Sequence, residues 1–209
     1  FEPIQGEGGV IVPPDDFLRR VREICDRSGI VMMVDEIQTG LGRTGRLFAC
    51  EWEDVRPDVL IVGKALGGGL YPVSAVLADA EYMGVFRPGD HGSTFGGNPL
   101  AAAIGRASLK VVLEEDLPGR ADELGRWFMG ELDALASPHV AQVRGRGLFI
   151  GVEIRESSGT ARPYCEALKD RGILAKETHG QVIRFAPPLV VEKEVLEEAL
   201  EEIATVLEG

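Results

Sequence analysis

The chain has only three cysteines, Cys25, Cys50 and Cys165, and no two of them are spaced as C-x-x-C. An odd set cannot close completely into disulfides, which argues against a cross-linked secreted scaffold and for a reducing, intracellular compartment. No cluster of Lys and Arg occurs. The 22 basic residues are outnumbered by 34 acidic ones, for a formal net charge of −12. A face that neutralises nucleic-acid phosphates or docks on anionic lipid needs concentrated positive charge, so neither partner is expected. No apolar run reaches the roughly 18 residues of a membrane span. Repeats and low-complexity linkers are also absent, no signal peptide is expected, and the first methionine is Met32. The opening Phe-Glu-Pro-Ile-Gln-Gly-Glu reads as the interior of a domain, so a fragment is expected.

What is present suits a folded protein. The 209 residues are 44% hydrophobic and 27% charged, enough for one large domain or one and a half at roughly 100–200 residues per domain. Asp15 is a good N-cap for a helix with Phe17, Leu18, Val21, Ile24 and Cys25 at helical spacing, stopped by Ser28-Gly29. Three short apolar runs follow: Ile30–Val34, Val59–Val62 and Val73–Ala78. Without polar alternation they predict strands buried on both faces, as in a parallel sheet. Asn98-Pro99 predicts a long helix to about Glu115, and Pro118 begins another, with Leu124, Phe128, Leu132 and Leu135 on one face.

Beyond these helices, extended segments are expected at 140–143, 148–154, 173–175 and 182–185, with a helix near 161–171 between them. A final helix carries Val195, Leu196, Ala199, Leu200, Ile203 and Leu207 on its buried stripe. Its six Glu residues from Glu192 to Glu202 read as a solvated helix face. The texture changes near residue 116. A sheet-centred α/β domain over 1–115 and a smaller α+β domain over 116–209 are therefore expected.

Two ionisable residues close two of the apolar runs, Asp35 after the first and Lys64 after the second. Ligands of open α/β sheets gather at the carboxyl ends of the strands, so parallel strands would send both groups into one crevice. Taken alone, Lys64 also fits a strand-end lysine pointing to water. A Walker loop fails, because Asp58 and Ala65 stand where it needs Gly and Ser or Thr. No histidine near Asp35-Glu36 suggests a metal, and none is expected.

A lysine that condenses with pyridoxal phosphate needs a carboxylate to keep the pyridine nitrogen protonated. Opposite charges about 4 Å apart at an effective dielectric near 20 attract by roughly 4 kcal/mol, equivalent to about 3 pKa units before desolvation. The loop His91-Gly-Ser-Thr-Phe-Gly-Gly-Asn98 has the backbone and hydroxyl donors that suit a phosphate, although turn chemistry accounts for the same composition.

Five segments occur in family order: Glu2-Pro-Ile-Gln-Gly-Glu7, Asp35-Glu-Ile-Gln-Thr-Gly40, Gly63-Lys-Ala65, Gly69-Leu-Tyr-Pro-Val-Ser74 and His91-Gly-Ser-Thr94. Together they resemble the class III pyridoxal-phosphate-dependent aminotransferases, over the C-terminal half of such an enzyme. Leu174-Ala-Lys-Glu-Thr-His-Gly180 and Ile183-Arg-Phe-Ala-Pro-Pro-Leu189 are similar to the members acting on ornithine. The resemblance implies a fold type I transferase: the C-terminal part of a large, mostly parallel-sheet domain, then a small α+β domain. It implies pyridoxal 5′-phosphate as cofactor and transfer of ornithine's terminal amine to 2-oxoglutarate, giving glutamate 5-semialdehyde and glutamate.

It also implies roles. Lys64 bonds the cofactor and shuttles protons, Asp35 pairs with its ring nitrogen and Gln38 bonds its ring oxygen. Thr94, with Ser93 beside it, reaches the cofactor phosphate of a neighbouring subunit in a homodimer. Arg184 holds the α-carboxylate of glutamate and Glu7 pairs with it. An exposed arginine would grip ornithine by its α-carboxylate and present the wrong amine, so a carboxylate that masks it gives selectivity. Related readings are an acetylornithine or other ω-amine aminotransferase, or a remnant serving as an interaction module. A remnant has no need of Lys64, Asp35 and Gln38 together. The expected location is the cytoplasm, or the mitochondrial matrix in a eukaryote. The family's phosphate cradle and ring-stacking aromatic have no counterpart in this chain, which is therefore expected to hold the cofactor poorly alone and to expose apolar strand edges.

Overall fold

The structure, a computed structural model, describes residues 1–208; Gly209, the last residue of the expected second domain, lies outside the described residues. The chain forms two compact units. The first comprises 1–3, 13–42 and 46–116, the second 4–12, 43–45 and 117–209. Two short segments from the N-terminal part thus belong to the second unit.

In the first unit, β1 (Met33–Asp35), β2 (Val59–Val62) and β3 (Ala75–Ala78) form a sheet in that order. β1 and β2 are parallel, with Asp35 opposite Ile61, whereas β2 and β3 are antiparallel. The third strand therefore differs from the parallel type expected of it. The connection 63–74 holds only a 3-10 turn, Lys64–Gly67, and no helix to carry a parallel crossover. Burial on both faces is not seen either. Helix α1 (Phe17–Ser28) packs Leu18 and Cys25 with Met32, Val34, Cys50 and Val55 on one face of the sheet, while Met33, Val76 and Leu77 are about half exposed. The cap of α1 is Asp16, not Asp15, and its carboxylate pairs with Arg20 instead of capping.

After a short α2 (Ala80–Met83) comes α3 (Pro99–Glu114). It starts where the Asn-Pro signal places it, with Asn98 Oδ1 accepting the Ala101 N–H at 2.9 Å. One of its turns carries Ser108, whose hydroxyl donates to the Ala65 carbonyl at 2.8 Å and so ties the helix to the Lys64 turn.

The second unit is an antiparallel sheet in the order β4 (Val140–Arg146), β5 (Phe149–Ile154), β7 (Val182–Phe185), β6 (Lys176–Thr178). Helices α4 (Leu117–Ala134), α5 (Ala161–Asp170) and α6 (Lys193–Glu208) bury Phe128, Leu132, Leu168, Ile203 and Leu207 against Ile150, Val152, Ile183 and Phe185. The β6 strand begins at Lys176, three residues later than expected; Ile173 and Ala175 pack on the core from a loop instead. Val195, assigned to the buried stripe of α6, is exposed. No helix among the described residues is long and apolar enough to cross a membrane.

Candidate active site

The parallel pairing of β1 and β2 sets the geometry of the first group. Asp35 ends β1 and Lys64 follows β2 by two residues, so both lie at the carboxyl ends of adjacent parallel strands. The half-buried Asp35 accepts the Ile37 N–H at 2.9 Å through Oδ1. That single bond orients the carboxylate and leaves Oδ2 open. The turn beyond it is tight. Gly40 donates to the Glu36 carbonyl at 2.9 Å, and a Cβ on Gly40 would lie 2.8 Å from that oxygen. Gln38 is half-buried within this turn.

Lys64 adopts φ +40°, a left-handed conformation that costs a non-glycine residue energy and persists only where surrounding structure holds it. The 3-10 turn and its bond to Ser108 supply that restraint. The lysine borders an open cleft of about 360 Å³ with Pro72, Val73 and Ser74. Its amine makes no hydrogen bond or ion pair among the described residues, and Asp35 has no cationic partner among them. Ser93 and Thr94 lie on an exposed loop, where Ser93 Oγ accepts the Gly96 N–H at 2.9 Å. No hydrogen bond joins either of them to Lys64 or Asp35.

Glu36, which carries no role in the sequence reading, organises this region. Its buried carboxylate accepts the Thr39 hydroxyl and, at 2.9 Å, the Cys50 N–H. Burial pushes its pKa up despite these bonds. Burial, with Glu36 alongside, pushes the Cys50 thiol up to about 12, which leaves it unreactive at neutral pH.

The second group lies wholly in the second unit. Arg184 Nη1 donates to Glu7 Oε1 at 2.7 Å, and Arg184 is only 14% exposed against 58% for Glu7. The Arg184 hydrogen bond holds the Glu7 carboxyl below the usual carboxylate range, against a smaller opposing effect of burial. Lys176 joins them, with Nζ 3.6 Å from Glu7 Oε2. Sequence reading missed Lys176 because its strand was placed three residues too early, which hid the face it shares with Arg184.

The chain matches the class-III aminotransferase family model over residues 1–207. It belongs to the class III aminotransferases. It is 60% identical over 205 residues to the ornithine aminotransferase of Staphylococcus epidermidis, a match that covers 98% of this chain and 51% of that protein. Among solved structures, an ornithine aminotransferase from Plasmodium yoelii superposes with a TM-score of 0.96 at 44% identity, over 100% of this chain and 56% of that one. An acetylornithine aminotransferase from Elizabethkingia anophelis gives 0.92 at 48% identity, over 99% and 52%. The chain thus spans about half the length of the curated relatives it matches.

The fold of this class III chain is that of the fold type I pyridoxal-phosphate-dependent transferases, and pyridoxal 5′-phosphate is the cofactor of the class. The donor set at the ends of β1 and β2 fits that group. Among the described residues it offers an amine without a competing carboxylate and, one strand away, a half-buried carboxylate without a competing cation.

Proposed function

We propose that this chain serves an ornithine δ-aminotransferase, transferring the terminal amine of L-ornithine to 2-oxoglutarate. The observation that carries this reading is the 2.7 Å pairing of Glu7 with Arg184. A guanidinium is a bidentate fork for a carboxylate. While Glu7 occupies it, an amino acid cannot anchor by its α-carboxylate there, so an ornithine held elsewhere presents its far amine. When Glu7 moves away, the same fork receives the α-carboxylate of glutamate or 2-oxoglutarate.

Bound pyridoxal 5′-phosphate supplies an aldehyde that accepts the amino group and a ring that accepts an electron pair. The protein's own groups do the rest. Lys64 Nζ would anchor the cofactor and, once released, would carry the proton from the amino-bearing carbon of the substrate to the cofactor carbon that had been the aldehyde. Asp35, oriented by the Ile37 N–H, keeps a proton on the ring nitrogen with its carboxylate, a task a neutral amide cannot perform. Gln38 hydrogen-bonds the ring oxygen, and Thr94, with Ser93, donates to the phosphate bound by a second copy of the chain in a homodimer. Residues 1–209 alone are expected to hold the cofactor weakly, and the cytoplasm is the expected compartment.

An acetylornithine aminotransferase is the second reading, favoured by the higher identity of the Elizabethkingia enzyme than of the Plasmodium one. Steady-state rates with ornithine and with N-acetylornithine, measured on the holoenzyme, separate the two. A higher kcat/KM for ornithine is expected; preference for the acetylated amine would replace the first reading by the second.

A further inference from the structure

Lys176 of β6 pairs directly with Arg184 of β7. Directly opposed residues project from one face with Cβ atoms about 4.5–5.5 Å apart, where like charges repel. On its other side Arg184 pairs with Gly151 of β5. A Cβ at Gly151 would come within 3.0 Å of Val10 Cβ and 3.1 Å of Val182 Cγ1. The missing side chain admits the segment 4–12, which folds back on itself through a Gln5–Ile11 bridge and buries Val10. At the turn of this segment, Glu7 answers both cations, Oε1 to Arg184 at 2.7 Å and Oε2 to Lys176 at 3.6 Å.

The turn itself is fastened. Thr178 Oγ1 donates to the Glu7 carbonyl at 2.5 Å, and Arg144 Nη2 donates to the Gly9 carbonyl at 2.7 Å. The Glu7 side chain, 58% exposed, borders solvent, whereas its backbone is bonded in place. We infer that Lys176 is the holding site of the Glu7 carboxylate: when a substrate carboxylate takes Arg184, Glu7 turns onto Lys176 over a stationary backbone. This rests on the masking role proposed for Glu7.

Charge bookkeeping supports it. With Arg184, Lys176, Glu7 and one incoming carboxylate, two positive charges face two negative ones. Without Lys176, two carboxylates would share a single guanidinium. Lys176 is thus a positioning residue for the half-reaction that uses Arg184, and it has no task in the half-reaction where Arg184 stays masked. Because Lys176 and Glu7 are both more than half exposed, solvent and salt screen the effect to the range of surface pairs.

Two measurements test the inference. In the chain itself, the Glu7 carboxyl carbon, assigned with E7Q, is titrated by NMR in wild type, K176Q, R184Q and the double variant. K176Q is expected to raise the Glu7 midpoint more in the R184Q background than in wild type, since Lys176 is then the sole partner. An unchanged midpoint on adding K176Q to R184Q overturns the holding site.

In the holoenzyme, K176Q is expected to raise the KM for 2-oxoglutarate relative to that for ornithine by about fivefold, with K176R restoring the ratio. A ratio that stays at the wild-type value, or a rise common to both substrates, overturns it. Wild-type enzyme that ignores ornithine while the NMR coupling is present defeats the proposed function and leaves the Lys176–Glu7 contact supported.

Discussion

Arg43 and Leu148 hold each other from both ends: the Leu148 N–H donates to the Arg43 carbonyl at 3.0 Å, and Arg43 Nη1 donates to the Leu148 carbonyl at 2.9 Å. The same nitrogen reaches the Pro187 carbonyl at 2.6 Å. Burial lowers the guanidinium pKa to about 10, still charged at neutral pH. Its partners are backbone oxygens, not a carboxylate. Arg43→Met removes the donor and leaves two carbonyls unsatisfied, at about 1–3 kcal/mol for each buried group. Urea unfolding is expected to show a loss of about 2–6 kcal/mol. A change under 0.5 kcal/mol would mean that water replaces the guanidinium.

Glu36 gives stability a pH dependence. Its folded pKa is raised by burial above the ordinary carboxyl value. The unfolded chain therefore loses this proton first as pH rises. The group's contribution is complete below the unfolded value and is lost as pH climbs through the folded one. Glu36→Gln does not titrate, and its carbonyl oxygen can still accept the Cys50 N–H. The stability of E36Q relative to wild type should therefore rise between pH 4 and pH 8 in urea titrations. A constant difference would mean that Glu36 titrates alike in the folded and unfolded chain, with no shift from burial.

Asp35 separates structure from chemistry. Asp35→Asn keeps an oxygen for the Ile37 N–H, so the thermal midpoint should shift by less than about 4 °C, equivalent to under about 1 kcal/mol. The charge is lost. Amino transfer by the holoenzyme should fall by about 10²-fold or more, the effect of removing roughly 3 kcal/mol of electrostatic support. Near-wild-type turnover in D35N would remove Asp35 from the mechanism.

Legibility in the sequence followed physical locality. The Asn98-Pro99 signal located α3 because capping is decided within four residues. The spacing of Leu124, Phe128 and Leu132 marked the buried face of α4, from which Phe128 and Leu132 enter the core of the second unit. In β6 the strand residues Lys176–Thr178 are polar, while the apolar Ile173 and Ala175 pack from the loop before it, so hydrophobicity pointed three residues early. The antiparallel pairing of β3 depends on what the connection from β2 contains, which composition does not report. Arg43 was opaque because its partners, Leu148 and Pro187, lie more than a hundred residues away and contribute only main-chain groups.

The role of Lys64 as the cofactor's anchor is tested most directly by chemistry. The cofactor-loaded protein is reduced with borohydride, digested and mapped by mass spectrometry. One pyridoxyl group is expected, on the peptide that carries Lys64, and in Lys64→Ala it should disappear together with activity. A pyridoxyl group on a different lysine, with Lys64 unmodified, would contradict it.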